Sequence, residues 1–236
     1  MIKINAGCGY GWKKESWTGI DYDGTSSAWR TDKNSPKGYI NLDLRQGLPY
    51  KDCSVSTIYS SHCLEHFTYY EGINILCEFY RVLEEGGSLS IVVPDLDLFI
   101  ENFSQKNRDF LETVEIIGGN PSGNLTDNFL MLFYSDPSFY NNCHKYAYNF
   151  DNLSHNLQKI GFEEINKVDF QKFTHCAELN QPEFKSKIQN IEKFSLSVEC
   201  RKISHNPDYV KHIRKKLSKR EKPFPVILSL LNIFKD

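Results

Sequence analysis

The first 95 residues alternate between short apolar segments and polar or glycine-rich turns, and this order constrains the fold more than any other feature. Five of the apolar segments have strand length, and a longer segment with apolar residues at helical spacing precedes the last of them. The predicted strands are 3–6, 17–21, 38–43, 55–60 and 88–93, and the predicted helix is 70–83. Such alternation is typical of a mostly parallel sheet with crossover connections. The sequence therefore predicts an α/β fold that is Rossmann-like and doubly wound.

The amino-acid composition of the chain changes beyond the fifth predicted strand. Residues 96–142 are rich in Asn, Phe and Leu, and we interpret them as a helical insertion that forms a lid over the ligand edge of the sheet. Further elements are predicted as helices at 96–103, 109–117, 129–134 and 150–160 and as strands at 164–170 and 194–201. We expect residues 1–205 to form the main domain and 206–236 to form a C-terminal tail.

Composition and charge limit the classes of function. The net charge of −2 gives no general attraction to nucleic acid, so no nucleic-acid partner is expected. The seven cysteines are widely spaced and include no C-x-x-C pair, which favours reduced thiols over disulfides or structural zinc. No leader peptide and no run of 18 apolar residues is evident, so we expect a cytoplasmic protein.

Glycines follow the first predicted strand, and an acidic residue ends or follows each of the next two. Gly7 and Gly9 allow backbone amides to approach a ligand closely. Ligands of open parallel sheets bind beyond the carboxyl ends of the strands. Asp21 would then accept hydrogen bonds from a ribose diol, and Asp43 from an adenine amine with Leu44 packed on the ring. Either acid alone is equally typical of a turn cap, but the set favours a nucleotide-like cofactor.

The stretch from residue 3 to residue 95 resembles class I S-adenosylmethionine-dependent methyltransferases, in particular small bacterial members with a Gly-Cys-Gly loop. The motifs that carry the resemblance are Asn5-Ala6-Gly7-Cys8-Gly9, Trp17-x-Gly19-Ile20-Asp21, Asp43-Leu44 with Leu48-Pro49-Tyr50, His62-x-Leu64-Glu65-His66, Arg81-Val82-Leu83-x-x-Gly86-Gly87 and Val93-Pro94-Asp95. A looser likeness continues to about residue 202 through His144-Lys145-Tyr146-Ala147 and Gly161-Phe162. The resemblance implies a seven-stranded sheet and S-adenosyl-L-methionine as cofactor. The cofactor-binding residues that it implies are Asn5, Ala6, Gly7, Cys8, Gly9, Asp21, Tyr22, Asp43, Leu44, Ser61 and His62.

Two features depart from many relatives of this kind. Only about ten residues separate the glycine loop from Asp21, so the first crossover must be minimal. No helices precede the first strand, so the insertion is expected to supply the cover of the cofactor. A dehydrogenase or sugar-nucleotide epimerase is disfavoured because Trp12 stands where its third glycine would be and because Asp21 comes too early.

A hydroxyl acceptor would benefit from a general base with a pKa near neutrality, which favours histidine. His144 is the first candidate because the chain returns there from the insertion to the ligand edge. His62 is the next candidate, although a structural or cofactor-contact role is favoured for it. Tyr146 is a weaker alternative that would hydrogen-bond the acceptor. His66 is expected to orient its loop or to cap the next helix, and Glu65 to pair with a helix N-terminus.

Metal ligands are not evident from spacing. Asp95-x-Asp97 follows the fifth predicted strand, and it is more typical of a helix cap than of a metal site. We therefore predict no metal.

The tail carries a basic stretch and then an apolar one. Residues 211–222 include seven Lys or Arg and one Glu, and residues 226–234 are strongly apolar. This pattern permits peripheral contact with an anionic membrane. Packing on the chain's own domain or on the partner of a homodimer is favoured over it.

Three functions stay open. The first is methylation of a small-molecule acceptor, with a sugar hydroxyl in surface-glycan biosynthesis suggested by the resemblance. The second is N-methylation of an ethanolamine-type amine, which aromatic side chains of the insertion would favour. The third is a non-catalytic module that keeps the cofactor fold, against which the intact glycine loop and both acids argue.

Overall fold

The computed structural model describes residues 1–9, 15–22, 38–110, 124, 126–127, 129–130, 143–169, 172–174, 193–204, 208, 211 and 215. Within them the strands are β1 (Lys3–Ala6), β2 (Trp17–Asp21), β3 (Tyr39–Asn41), β4 (Val55–Ser61), β5 (Leu83–Pro94), β6 (Glu163–Val168) and β7 (Ser195–Arg201). The helices are α1 (Tyr69–Val82), α2 (Leu96–Ser104) and α3 (Phe150–Ile160), with 3₁₀ turns at Leu44–Gln46 and Leu64–His66. None of the helices in these ranges is long and apolar enough to cross a membrane.

The strands form one sheet in the order β3-β2-β1-β4-β5-β7-β6. All neighbours from β3 to β5 are parallel, whereas β7 runs antiparallel to both β5 and β6. The predicted seven-stranded, mostly parallel α/β sheet is confirmed. Because β1 lies beside β4 rather than only beside β2, the strand order reverses between them. A crevice therefore opens beyond the carboxyl ends of β1 and β4, where ligands of such sheets bind.

Helix α1 connects β4 to β5 and begins with a capping box. The Thr68 hydroxyl accepts a hydrogen bond from the Glu71 amide at 3.4 Å, and the Glu71 carboxylate accepts one from the Thr68 amide at 2.9 Å. Apolar side chains at helical spacing then turn one face into the core, where they are almost fully buried: Ile73, Leu76, Phe79 and Tyr80. The N-terminus of α1 is thus capped by Thr68. The helix cap considered for His66 was therefore wrong, and its other expected role, to orient its loop, stays a prediction.

The junction of α1 with β5 differs from the sequence prediction. We expected residues 84–87 to stop the helix, but α1 ends at Val82 and β5 begins at once with Leu83, whose backbone is extended. Gly86 has a φ of 79°, and the pairing of β5 with β4 shifts register between Leu83 and Ser88. The two glycines therefore form an irregularity inside the strand, which a left-handed residue makes possible.

The C-terminal elements agree with the sequence patterns. Helix α3 has the predicted bounds because both ends carry local signals: Asn149 and Asn152 form a capping box, and Gly161 ends the helix with a φ of 110°. Strands β6 and β7 confirm the two predicted late strands with bounds that shift by one or two residues.

The start of the predicted insertion is visible. Helix α2 confirms the expected helix at 96–103, and Asp95 caps it by accepting the Asp97 amide at 3.2 Å, as predicted. Phe99 of α2 is buried against Phe194, just before β7. The predicted helices at 109–117 and 129–134 lie mostly outside the described residues. The same holds for the tail at 206–236, of which only 208, 211 and 215 are described.

Candidate functional site

The glycine loop folds back on the end of β2. The amide of Gly7 donates to the carbonyl of Ile20 at 2.8 Å, and the amide of Gly9 donates to the Asp21 carboxylate at 2.6 Å. Both glycines have left-handed φ angles, 75° and 67°. A Cβ at Gly7 would lie 2.3 Å from the sulfur of Cys63. The first position of the loop therefore requires glycine both for its conformation and for its space.

Asp21 ends β2 and holds the loop. One carboxylate oxygen accepts the Gly9 amide, and the other accepts the Tyr22 amide at 2.7 Å. These two bonds fix the orientation of the carboxylate, which lines the crevice beyond β1 and β4. A carboxylate offers about four acceptor positions, so Asp21 keeps capacity for a ligand hydroxyl.

Asp43 lies just beyond β3, which ends at Asn41 rather than at residue 43 as predicted. It caps the 3₁₀ turn at Leu44–Gln46 through the Arg45 amide, and the Arg45 guanidinium contacts both of its oxygens at 2.6–3.0 Å. Burial opposes the ionisation of Asp43, but the hydrogen bonds from Arg45 outweigh it and lower the pKa of this carboxyl. The sequence prediction missed Arg45 as its partner.

A cavity of about 250 Å³ opens at this crevice. Its lining includes these predicted cofactor residues: Gly7, Gly9, Asp21, Tyr22, Asp43, Leu44 and His62. Residues that sequence reasoning did not assign to the cofactor also line it: Leu42, Arg45, Cys63, His66, Phe67 and Lys145.

The other predicted cofactor residues are not in the cavity lining. Asn5 and Ala6 are buried beneath the loop, and Ser61 ends β4. Cys8 is partly buried in the loop, and burial together with the charge of Asp21 raises the pKa of its thiol to about 12. The thiol is therefore neutral at physiological pH and is no candidate nucleophile.

His62 is held by a partner on each ring nitrogen. Nε2 lies 2.9 Å from the hydroxyl of Ser195, and Nδ1 lies 3.2 Å from a carboxylate oxygen of Glu65. Its backbone has a left-handed φ of 47°. Because both nitrogens are engaged, this arrangement fits a side chain that shapes the cavity wall better than a free general base.

Glu65 is buried to 1% exposure and points towards histidines rather than towards a helix N-terminus, which corrects our expectation. Burial opposes its ionisation, but the hydrogen bond of His62 and the charges of His62, His66 and His144 outweigh burial and lower its pKa to about 2. The carboxylate is therefore a buried anion, and it lines a small pocket separate from the cofactor cavity.

His66 and His144 form a pair beside this anion. Their ring centroids lie 4.9 Å apart in an edge-to-face arrangement. One ring nitrogen of His66, one of His144 and one carboxylate oxygen of Glu65 all lie within 4.8 Å of one another. His66 lines the cavity, whereas His144 lines a small neighbouring pocket together with Glu65 and Tyr146. The predicted base His144 thus lies behind His66.

Tyr146 also lies in the smaller pocket, at the edge of an aromatic cluster. Its ring centroid is 5.3 Å from that of Tyr69 and 5.0 Å from that of Tyr148. Burial, followed by the neighbouring Tyr69, raises the pKa of Tyr146. Its place in the smaller pocket, outside the lining of the main cavity, does not favour the hydrogen bond to the acceptor that we considered for it as a weaker candidate.

The backbone explains how the returning segment meets the turn after β4. The carbonyl of Glu65 accepts hydrogen bonds from the amides of Lys145 at 2.7 Å and Tyr146 at 3.2 Å. Tyr148 forms a parallel bridge with Asp95 and accepts the Leu96 amide at 2.8 Å. Two stretches that are distant in sequence are thereby fixed together at the carboxyl edge of the sheet.

Part of the chain matches a known family model. Residues 4–91 match the model of a methyltransferase domain family. No curated protein matches the sequence.

A solved structure shares the fold. A SAM-dependent methyltransferase from Archaeoglobus fulgidus is 16% identical and aligns over 85% of this chain and 86% of its own, with a TM-score of 0.50. An S-adenosylmethionine-dependent methyltransferase from Mesorhizobium loti is 17% identical over 84% and 89% of the two chains, with a TM-score of 0.47.

Proposed function

We propose that this chain is a class I S-adenosylmethionine-dependent methyltransferase and that it transfers the methyl group to a hydroxyl of a small polar acceptor. A sugar hydroxyl in surface-glycan biosynthesis is the acceptor that we propose. The observation that carries the hydroxyl is the cluster of Glu65, His66 and His144, of which His66 lines the cofactor cavity and the other two line the small pocket next to it.

The glycine loop and the acids fit the cofactor. A Cβ at Gly9 would meet nothing within 4 Å, so the loop leaves open space at the cavity wall, as the close approach of a ligand requires. We propose that Asp21 accepts hydrogen bonds from the ribose hydroxyls. Asp43 and Leu44 would hold the adenine, with Arg45 fixing the carboxylate. When bound, S-adenosylmethionine supplies a methyl group that the sulfonium activates for in-line displacement.

The acidic side chains near the cavity favour a hydroxyl acceptor over an ammonium acceptor, because of the partners that they already have. Asp21 already holds the Gly9 and Tyr22 amides, Asp43 is paired with Arg45, and the Glu65 side chain does not line the cofactor cavity. A cationic acceptor would need an acid whose charge is not already compensated. A neutral hydroxyl needs only hydrogen-bond partners and a group that takes its proton, and the histidines supply that group.

The experiment offers labelled S-adenosylmethionine and the full chain to two sets of acceptors. One set contains hexoses, hexose phosphates and nucleoside diphosphate hexoses, and the other contains ethanolamine and phosphoethanolamine. We expect label in the first set only, at a position where mass spectrometry finds an O-methyl group. Label only in the amines would replace the proposal with N-methylation.

A further inference from the structure

The cofactor cavity contains a histidine that the sequence patterns assigned to structure. We propose that His66 takes the proton of the acceptor hydroxyl, and that Glu65 and His144 are positioning residues that hold its ring and offset its charge. This inference rests on the proposed function, because it concerns the proton that O-methylation releases.

The position of His66 is the first observation. Its side chain lines the cavity that contains the glycine loop and Asp21, whereas His144 lies in the pocket behind it. Nδ1 of His66 is buried and has no hydrogen-bond partner among the described residues. A buried ring nitrogen without a partner is uncommon and points to a functional role. His62 lines the same cavity but has partners on both nitrogens.

Glu65 is the second observation. It is buried and ionised, one of its oxygens contacts His62 at 3.2 Å, and the other has no hydrogen-bond partner in the described ranges. An unpaired negative charge in a buried place is costly unless a positive charge faces it. A proton that enters the neighbouring imidazoles would supply that charge.

The groups around His66 come from several elements. Glu65 lies next to it on the same turn, His62 precedes that turn, and His144 and Lys145 face it from the returning segment. Across the cavity are Asp21 and the Asp43–Arg45 pair, whose own charges offset each other. Glu65 is therefore the anion in closest association with the histidine pair.

The proton and electron pairs balance in this scheme. The acceptor oxygen forms a bond to the methyl carbon, and the bond from that carbon to sulfur breaks with its electron pair on sulfur. The oxygen–hydrogen bond breaks, and the proton moves to a ring nitrogen of His66. The imidazolium then faces the Glu65 carboxylate with His144 packed on its ring, and it loses the proton to water after product release.

The same three residue types can also bind a divalent metal ion. Their ligand atoms lie within 4.8 Å of one another. Metal dependence is therefore an outcome that the experiment detects.

The kinetic test uses the full chain and the hydroxyl acceptor that gives label in the assay above. We expect His66→Gln to lower kcat by about 10²- to 10⁴-fold while the affinity for S-adenosylhomocysteine changes less than about twofold. His144→Gln and Glu65→Gln should lower kcat less, by about tenfold. His155→Gln, on the exposed face of α3, is the matched control and should keep the wild-type rate. Full activity of His66→Gln would overturn the inference.

The second readout needs no acceptor. NMR titration of labelled histidines in the full chain with S-adenosylhomocysteine follows His66, which His66→Gln identifies by the loss of its signal. We expect Glu65→Gln to shift the ring signals of His66 at constant pH, because the Glu65 carboxylate lies beside that ring. Unchanged signals would show that Glu65 does not act on His66.

The outcomes separate the two proposals. Label in the amines alone refutes the proposed hydroxyl acceptor and with it the role of His66 in O-methylation. O-methylation that survives in His66→Gln refutes only the role of His66. Activity that chelator abolishes and that Zn²⁺ or Mn²⁺ restores would assign the cluster to a metal ion and would overturn the inference.

Discussion

Substitution of Gly7 by alanine tests the construction of the loop most sharply. Gly7 has a φ of 75°, and a Cβ at this position would lie 2.3 Å from the sulfur and 2.5 Å from the Cβ of Cys63, which is buried. A left-handed conformation costs an alanine about 1–2 kcal/mol. Overpacking against Cys63 adds about 1–3 kcal/mol, because the buried neighbour cannot move freely. Gly7→Ala should therefore lower the free energy of unfolding by about 2–5 kcal/mol.

Gly9→Ala is the matched control for the backbone. Gly9 has a similar φ of 67°, but a Cβ there would meet nothing within 4 Å. Only the conformational cost of about 1–2 kcal/mol should appear in its stability. Because the added methyl group would enter open space at the cavity wall, binding of S-adenosylhomocysteine should weaken in this variant as well.

Urea unfolding of both variants, with calorimetric titration of S-adenosylhomocysteine, measures these effects. A double-mutant cycle with Cys63→Gly isolates the overlap, since the double variant should recover about 1–3 kcal/mol relative to the sum of the single changes. Equal destabilisation by Gly7→Ala and Gly9→Ala, with no coupling to Cys63, would refute the steric argument.

Three further predictions concern charge, the insertion and the tail. The pKa of Glu65 is lowered from an ordinary 4.5 to about 2, so its contribution to stability is present above pH 4.5 and is lost as the pH falls towards 2. In urea unfolding measured between pH 4.5 and pH 2, the unfolding free energy of Glu65→Gln should therefore fall less steeply with decreasing pH than that of the wild type. The same dependence on pH in both proteins would contradict the assignment. Hydrogen exchange in α2 and the rest of 96–142 should slow when S-adenosylhomocysteine and the acceptor are added together, whereas equal exchange would count against a lid. Deletion after residue 208 should leave methyl transfer in solution intact, and a folded but inactive truncation would refute this. The tail is proposed to contribute to membrane contact or to assembly. Unchanged liposome binding and unchanged sedimentation of the truncation would remove both roles.

Local sequence patterns were sufficient to predict those helices and strands whose ends are marked by capping or turn residues. The bounds of α3 follow from Asn149 and Gly161, and the sheet follows from the alternation of apolar runs and turns. The end of α1 was misplaced because Gly86 and Gly87 are typical of a helix end. In the structure, pairing of β5 with β4 uses them inside a strand instead, and a tertiary contact of this kind is not visible in a local window.

The cofactor end of the site was more accessible to sequence reasoning than the acceptor end. Gly7, Gly9 and Asp21 lie at strand ends, and the parallel sheet brings those ends together without further information. The position of His66 in front of His144 depends on hydrogen bonds from the segment around Lys145 to the carbonyl of Glu65. These residues are far apart in sequence, and no spacing rule relates them. The adjacency of Glu65 and His66 was the only signal, and it did not show which side chain faces the cavity.

The central claim is that this crevice binds the methyl donor, and calorimetric titration of the full chain with S-adenosylmethionine and S-adenosylhomocysteine tests it most directly. We predict that both ligands bind, and that Asp21→Ala weakens binding by about 1–3 kcal/mol because the ribose hydroxyls would lose their acceptor. Asp169→Ala, at an exposed carboxylate paired only with Lys172 among the described residues, should bind as the wild type does. Folded wild-type protein that binds neither ligand would contradict the account.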